Sequence, residues 1–278
     1  MCVLTVDPMK GPYSRDQYVD YLRSFDTFSH DPEEGARYVG DAIGRFMLTL
    51  DQVPRLSGSV NLLELGSNPY FFTLMIKKKF NYCLTLANYF GTGHLEHGSH
   101  VICSEKYDER YVFEFDHFNV EKDAFPYAPE SFDLVLCCEI LEHLLEDPTH
   151  MLCEAHRVLK KGGFLLLTTP NVKSLANTLK LLFGFNVYGK YSGYGPYGRH
   201  NREYLPGEVK ALLEKCGFSE VRVTVRDIYP RQWSLLSHLP FFNGRRDNIF
   251  TLAKATGNVK HSYPDFLYQS MPDRIDRS

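Results

Sequence analysis

Between Phe132 and Asn171 the chain reads FDLVLCCEILEHLLEDPTHMLCEAHRVLKKGGFLLLTTPN, and few folds can accommodate that order. Phe132 to Cys138 is a predominantly apolar run, as expected of a parallel strand covered on both faces. Glu139 then sets a charge at the strand's carboxyl end, where open α/β sheets place their ligands. Asp147-Pro148 predicts a helix start, a capping carboxylate followed by a residue whose φ is already helical. Met151, Leu152, Ala155, Val158 and Leu159 recur on one helical face. Lys160-Lys161 and Gly162-Gly163 predict its end, with cations on the negative pole and glycines for a left-handed turn. Phe164 to Thr169 is the next buried strand.

The rest of the chain extends this pattern. Residues 1–54 carry helical periodicity and no strand, with Tyr18, Tyr21, Leu22 and Phe25 on one face and Val39, Ile43, Phe46 and Met47 on another. Strands are expected at 60–65, 81–87, 111–115, 132–138, 164–169, 221–225 and 249–253, with a helix at 208–215. Alternation of this kind predicts a parallel sheet with helices on both faces. The loop 229–247 is long and aromatic, and the tail after Gly257 is polar, expected to drape on the surface or move.

Composition narrows the function. At 278 residues, 44% hydrophobic and with a formal charge of −3, the chain is expected to bury one full core. It has no net electrostatic footprint for nucleic acid or an anionic membrane. The start does not read as a secretory signal and no run nears the ~18 apolar residues of a membrane span, so neither is expected. Seven cysteines without CxxC spacing read as reduced, structural thiols, which points to a cytoplasmic location. His94, His97 and His100 lie at three-residue intervals but read as a solvated loop, and the expectation is that no metal is required.

The 132–171 segment resembles the second half of class I S-adenosylmethionine-dependent methyltransferases, in which FDLV…E.LEH…RVLK.GG…PN recurs. The general resemblance covers roughly residues 55–256. It implies an α/β, Rossmann-like, doubly wound sheet of seven strands in the order 3-2-1-4-5-7-6, the last strand antiparallel. A helical cap (1–54) would precede that domain (55–257) and a polar tail (258–278) would follow it. The resemblance also implies S-adenosyl-L-methionine as cofactor. Asn61-Leu-Leu-Glu-Leu-Gly-Ser-Asn-Pro-Tyr70 stands where the family's first motif stands, keeping Gly66 alone of its three glycines. A strand turning tightly into a helix would aim backbone N–H groups at an anion. Ser67 or Asn68 would cap a helix beginning at Pro69, and Glu64, a charge in an apolar strand, would receive the cofactor's ammonium end. Asn68-Pro69-Tyr70 is not the NPPY motif of amino-group methyltransferases, because it lacks the second proline and follows the wrong strand. Asn88 is the ribose candidate, followed by Tyr89. Asn119 and Val120 are the adenine candidates, and Glu139 and Ile140 complete the cofactor set.

On the acceptor side, Tyr191-Ser-Gly-Tyr-Gly-Pro-Tyr-Gly-Arg-His-Asn-Arg-Glu-Tyr204 interleaves glycines, aromatics and cations. Tyr194, Tyr197, Arg199, Arg202 and Tyr204 suit a polyhydroxylated or anionic ligand through stacking and forked hydrogen bonds. His200 is the expected general base, ahead of His143. ELGSNPYFFT, NYFG, FNVEKDAFPY and SGYGPYGRHNREY resemble a narrower bacterial group associated with surface polysaccharide and glycolipid pathways. The expected reaction is O-methylation of a sugar or glycan-linked precursor. Two alternatives stay open: a small-molecule methyltransferase acting on a phenol, phosphonate or carboxylate, and a non-catalytic cofactor-binding scaffold.

Overall fold

The computed structural model describes residues 13–27, 32–91, 96–193, 195–229, 245–265 and 267–268. The chain divides into two units, Met1–Asn119 and Val120–Ser278. In the first unit, α1 (Arg15–Arg23) opens with a capping box in which Ser14 accepts from the Gln17 amide and Gln17 reaches back to the Ser14 amide. There follow α2 (Pro32–Gln52), β1 (Asn61–Leu65), α3 (Phe71–Lys79), β2 (Cys83–Asn88), β3 (His97–Ser104) and β4 (Glu109–His117). The expected apolar faces are buried, Tyr18, Tyr21, Leu22 and Phe25 on α1 and just beyond it, and Val39, Ile43 and Phe46 on α2, except that Met47 is only half-buried. Glu109 fastens α1 and α3 to β4. Its Oε2 accepts from the Tyr21 and Tyr111 hydroxyls at 2.7 and 2.9 Å, and its Oε1 pairs with Lys78.

The strand order within this unit is β3-β4-β2-β1, with β1 and β2 parallel and β3 antiparallel to β4. β3 was not anticipated, so the described residues hold eight strands where seven were expected. Its sequence, HGSHVICS, is polar and holds a glycine, and so it reads as loop. Register explains the glycine: Gly98 lies opposite Phe115, whose ring occupies the space a Cβ would need. Cross-strand packing of an aromatic on a glycine supplies the contact that intrinsic propensity does not.

The second unit carries β5 (Phe132–Cys138), a single 3-10 turn (Leu141–His143), α4 (Pro148–Val158), β6 (Leu159–Pro170), α5 (Leu175–Leu182), a second 3-10 turn (Pro196–Gly198), α6 (Pro206–Lys215), β7 (Phe218–Arg226) and β8 (Asn248–Ala255). Its order is β5-β6-β8-β7, with β5 and β6 parallel and β8 antiparallel to both neighbours. Asp147 caps α4 by accepting from the Thr149 amide, with Pro148 in the first turn, as expected. The expected end of that helix needs correction. α4 stops at Val158, and Lys160 to Gly163 belong to the bulged start of β6. Lys160 is held by an ion pair to Asp133 at 2.8 Å. A Cβ on Gly163 would stand 2.9 Å from the Lys160 carbonyl oxygen and 3.1 Å from that of Asp133, so close backbone approach, rather than a helix stop, demands the glycine. After β8 the chain stays bound to this unit. The Lys260 carbonyl accepts from Cys153 Sγ, and the Tyr268 hydroxyl donates to Asp147 Oδ1 at 2.7 Å. Of the 229–247 loop, residues 230–244 lie outside the described residues.

Candidate functional site

In the first unit the turn after β1 is built around Asn88. Glu64 is buried, and burial pushes its carboxyl up to about 7 despite the Thr73 hydroxyl donating to its Oε2 at 2.7 Å. Gly66 takes a φ of 65°, which glycine adopts without strain. The turn departs from the expected anion cradle. The Gly66 and Ser67 N–H groups both donate to the Ala87 carbonyl, at 2.8 and 3.4 Å, continuing the β1–β2 ladder. The helix begins at Phe71 rather than Pro69. Tyr70 stands before it at a φ of 68°, with no side-chain cap. Ser67 Oγ and the Asn68 N–H instead donate to Asn88 Oδ1, at 3.2 and 2.9 Å.

Asn88 passes the network on: its Nδ2 donates to the Tyr70 hydroxyl at 3.2 Å, which meets His100 Nδ1 at 2.8 Å. The Asn88 side chain is thus built into the turn. Sequence did not bring Tyr70 and His100 together, because His100 sits on the strand read as loop. Burial pushes the Tyr70 phenol up and the His100 imidazole down. Tyr89 stacks on His117, ring centroids 5.5 Å apart. Asn119, buried, closes this unit, and Val120, half-buried, opens the next.

In the second unit two loops converge. Glu139 takes a φ of 55° at the end of β5, and its Oε1 accepts from Thr168 Oγ1 and Asn248 Nδ2 at 2.8 and 2.9 Å. Ile140 then leads into the 3-10 turn that carries Glu142 and His143. Glu142 is fully buried, with Thr169 Oγ1 donating to its Oε2 at 2.9 Å. The 191–204 loop is clamped onto this turn. The Asn201 and Arg202 N–H groups donate to the Glu142 carbonyl at 2.7 and 3.2 Å, and Asn201 Nδ2 donates to the His143 carbonyl at 2.9 Å.

The clamp brings the rings of His143 and His200 to 5.1 Å between centroids, mutually perpendicular. Burial and then the neighbouring His200 hold the His143 imidazole below its ordinary pKa. His200 Nδ1 lies 3.1 Å from Glu203 Oε1. A carboxylate only accepts, so Nδ1 carries a hydrogen; in the neutral ring the lone pair then lies on Nε2, the tautomer a general base needs.

Glu142, His143 and His200 each present one ligand atom, all within 4.8 Å of one another. The expectation of no metal rested on sequence spacing, and folding unites residues from two separate loops. An acid and two imidazoles are a donor set for a zinc-like or manganese-like cation. Of the expected histidine triplet, His94 lies outside the described residues, while His97 pairs with Asp116 at 2.7 Å and His100 with Tyr70.

The acceptor-side residues separate. Tyr197 donates to Glu121 Oε2 at 3.0 Å, and the other oxygen of Glu121 takes the N–H groups of Leu145, Glu146 and Asp147. The Arg199 guanidinium lies 4.7 Å over the Tyr191 ring. Arg202, paired with Glu208 at 3.0 Å, and buried Tyr204 line a cleft of about 220 Å³ together with Asn201, Asp147 and Tyr268. Tyr194 lies outside the described residues. Glu121, Asn201 and Glu203 were missed from sequence as positioning groups. Only the i, i+3 spacing of His200 and Glu203 offered a signal.

Comparison with known proteins agrees with this architecture. Residues 79–167 match a family model described as a methyltransferase domain. A ubiquinone biosynthesis O-methyltransferase of Ruegeria sp. is 31% identical over 115 residues, 41% of this chain and 44% of that protein. The human mitochondrial ubiquinone biosynthesis O-methyltransferase is 32% identical over 102 residues, covering 36% of this chain and 26% of its own length. The chain thus spans less than half the length of these two curated relatives. Among solved structures, a SAM-dependent methyltransferase of Thermotoga maritima, described as a possible histamine N-methyltransferase, superposes with a TM-score of 0.51 at 19% identity. That likeness covers 80% of this chain and 95% of that one. A putative methyltransferase complex of Haloferax volcanii gives the same TM-score at 12% identity, over 90% of this chain and 99% of that one. Residues 79–167 thus match a methyltransferase-domain model, and the chain has the α/β, Rossmann-like fold seen in S-adenosylmethionine-dependent methyltransferases.

Proposed function

We propose that this chain transfers the methyl group of S-adenosyl-L-methionine to an oxygen of a hydroxylated ring acceptor, a sugar or glycan-linked precursor ahead of a phenol. The observation that carries the reading is the His200–Glu203 pair set against His143, an imidazole whose Nδ1 faces a carboxylate and whose Nε2 would accept a proton in the neutral ring. A methyl transfer to an unprotonated amine or to an acceptor that is already anionic needs no such base, whereas an alcohol must lose its proton as the new bond forms. The names of the curated relatives also favour oxygen as the accepting atom.

The residues fit the cofactor in kind. Glu64 offers a buried carboxylate for an ammonium group, and Asn119, Val120 and Glu139 offer polar side-chain and backbone groups for the nucleoside. The sulfonium supplies a methyl group already activated for displacement. The remaining tasks fall to the chain. Arg199, Tyr191 and Tyr197 would orient the acceptor ring, and His200 Nε2 would take the hydroxyl proton while Glu203 steadies the resulting imidazolium.

A second reading of the same residues is favoured by the Glu142–His143–His200 set. A divalent cation held there would lower the acceptor's hydroxyl pKa in place of the imidazole base. A panel of sugars, phenols and carboxylates, assayed with labelled cofactor before and after chelation, tests both. Transfer to nitrogen acceptors alone would overturn the oxygen assignment.

A further inference from the structure

α5 is inverted relative to an ordinary surface helix. Its two uncharged polar residues face the protein: Asn177 Nδ2 donates to Glu203 Oε2 and Thr178 Oγ1 accepts from Arg245 Nη1, each at 2.9 Å. None of its residues is buried. Its apolar residues and those just beyond face outward. Leu181, Leu182, Phe183, Phe185, Tyr188 and Tyr191 are each 58% or more exposed, with Leu182 and Phe183 at 74%. The helix ends in a built turn, with the Phe185 N–H reaching the Lys180 carbonyl at 2.8 Å and Gly184 at a φ of 78°, so the apolar run continues on a defined path. So many large apolar side chains together on a surface mark a contact site.

Charge identifies what is contacted. From Ala155 to Arg202 the chain holds no Asp or Glu. Lys173, Lys180 and Lys190, all exposed, are interspersed along the chain with the apolar residues. The formal charge of −3 over the whole chain conceals this local excess of cations. Leucine and phenylalanine flanked by tyrosine and lysine, with no acid, is the composition that seats a helix in the plane of an anionic bilayer's headgroup boundary. Among the described residues no helix is long and apolar enough to cross a membrane.

We infer that α5 and the segment to Tyr191 dock this protein on an anionic phospholipid surface, apolar side chains inserted and lysines on the headgroups. Combined with the methyl-transfer reading, on which this further step rests, the contact places the acceptor among amphiphiles whose reactive ring lies at the membrane boundary. Asn177 and His200 share the Glu203 carboxylate, so the docking helix and the candidate base are two bonds apart.

The test is co-sedimentation of the full chain with vesicles of phosphatidylglycerol and phosphatidylcholine, against vesicles of phosphatidylcholine alone. Wild type should partition onto the anionic vesicles and release as salt rises. A Leu182→Ser, Phe183→Ser, Phe185→Ser variant should partition about tenfold less or weaker still. Its circular dichroism should be unchanged, because none of these side chains is buried. Lys180→Glu with Lys190→Glu should lose the preference for anionic lipid. No partitioning of wild type, or equal partitioning of the serine variant, overturns the inference. So does a wild-type dimer that the serine variant converts to monomer without any vesicle binding, since a second copy would then own the face. Calorimetry with S-adenosylmethionine separates the two claims: failure on vesicles leaves cofactor binding intact, and failure to bind cofactor leaves vesicle partitioning intact.

Discussion

His200 Nδ1 stands 3.1 Å from Glu203 Oε1, and the other oxygen of that carboxylate is taken by Asn177. The carboxylate therefore fixes the imidazole's tautomer and is itself fixed by a neighbouring helix. If His200 is the base, His200→Ala should lower turnover by ~10²–10⁴-fold with cofactor affinity nearly unchanged. Glu203→Gln should give a smaller loss, and Asn177→Ala a smaller one again. Single-turnover rates with cofactor titrations check the order. Equal turnover in wild type and His200→Ala would remove the base assignment.

The cation reading predicts a binding heat. Manganese or zinc titrated into the protein should bind with one site per chain, and His143→Ala and Glu142→Gln should each abolish that site. Because burial holds His143 below its ordinary pKa, its ring stays available to a metal as pH falls through the usual histidine range. Titration calorimetry showing no heat at ~0.1 mM metal, an affinity any resident site exceeds, would leave the imidazole base alone.

Glu64 gives a pH dependence of defined sign. Its carboxyl lies at about 7 when folded, above the ordinary value of about 4.5, so the neutral form is favoured in the folded chain. Its contribution to stability is complete below about 4.5 and is lost as pH rises through about 7. Glu64→Gln should therefore raise the melting temperature of the ligand-free protein at pH 8 and leave it nearly unchanged at pH 4.5. Pairing with the cofactor's ammonium group needs the ionised form, so affinity in the wild type should rise up to about tenfold between pH 6 and 7.5. Melting curves and calorimetry of the glutamine variant, in which both dependences should vanish, check the assignment.

The sheet and its helices were legible because buried parallel strands and capped helices carry local signals. Phe132 to Cys138 is apolar on both faces, and Asp147-Pro148 caps whatever follows it. β3 was not legible, since Gly98 becomes a strand residue only once Phe115 lies across from it. Lys160 to Gly163 misled for a related reason: two lysines and two glycines end a helix in isolation, but here an ion pair to Asp133 and a backbone crowding Gly163 make them a strand. The candidate site divided the same way. His143 and His200 stood out as residue types. Glu203, Asn201 and Glu121 act by bonds made across loops, which no spacing records.

The bonds of the 191–204 loop divide it into two halves. From Pro196 to Tyr204 it is pinned: Asn201 bonds the Glu142 and His143 backbone, Tyr197 bonds Glu121, and the Tyr204 carbonyl accepts from the Val172 amide at 3.2 Å. From Tyr188 to Gly193 the side chains of Tyr188 and Tyr191 are exposed, and Gly193 has no atom within 4 Å of where a Cβ would stand. Hydrogen exchange should therefore be fast over 188–193 and slow over 196–204 in the ligand-free protein. Added cofactor and acceptor should slow the first half only, as a closing edge does. Tyr197→Phe should speed exchange in the second half without unfolding β5 or β6, because it removes one bond to Glu121 while the Leu145, Glu146 and Asp147 amides still hold that carboxylate. Uniform exchange across both halves would show that the bonds to Glu142 and His143 do not hold the loop in solution, and His200 would then lose its fixed place beside His143.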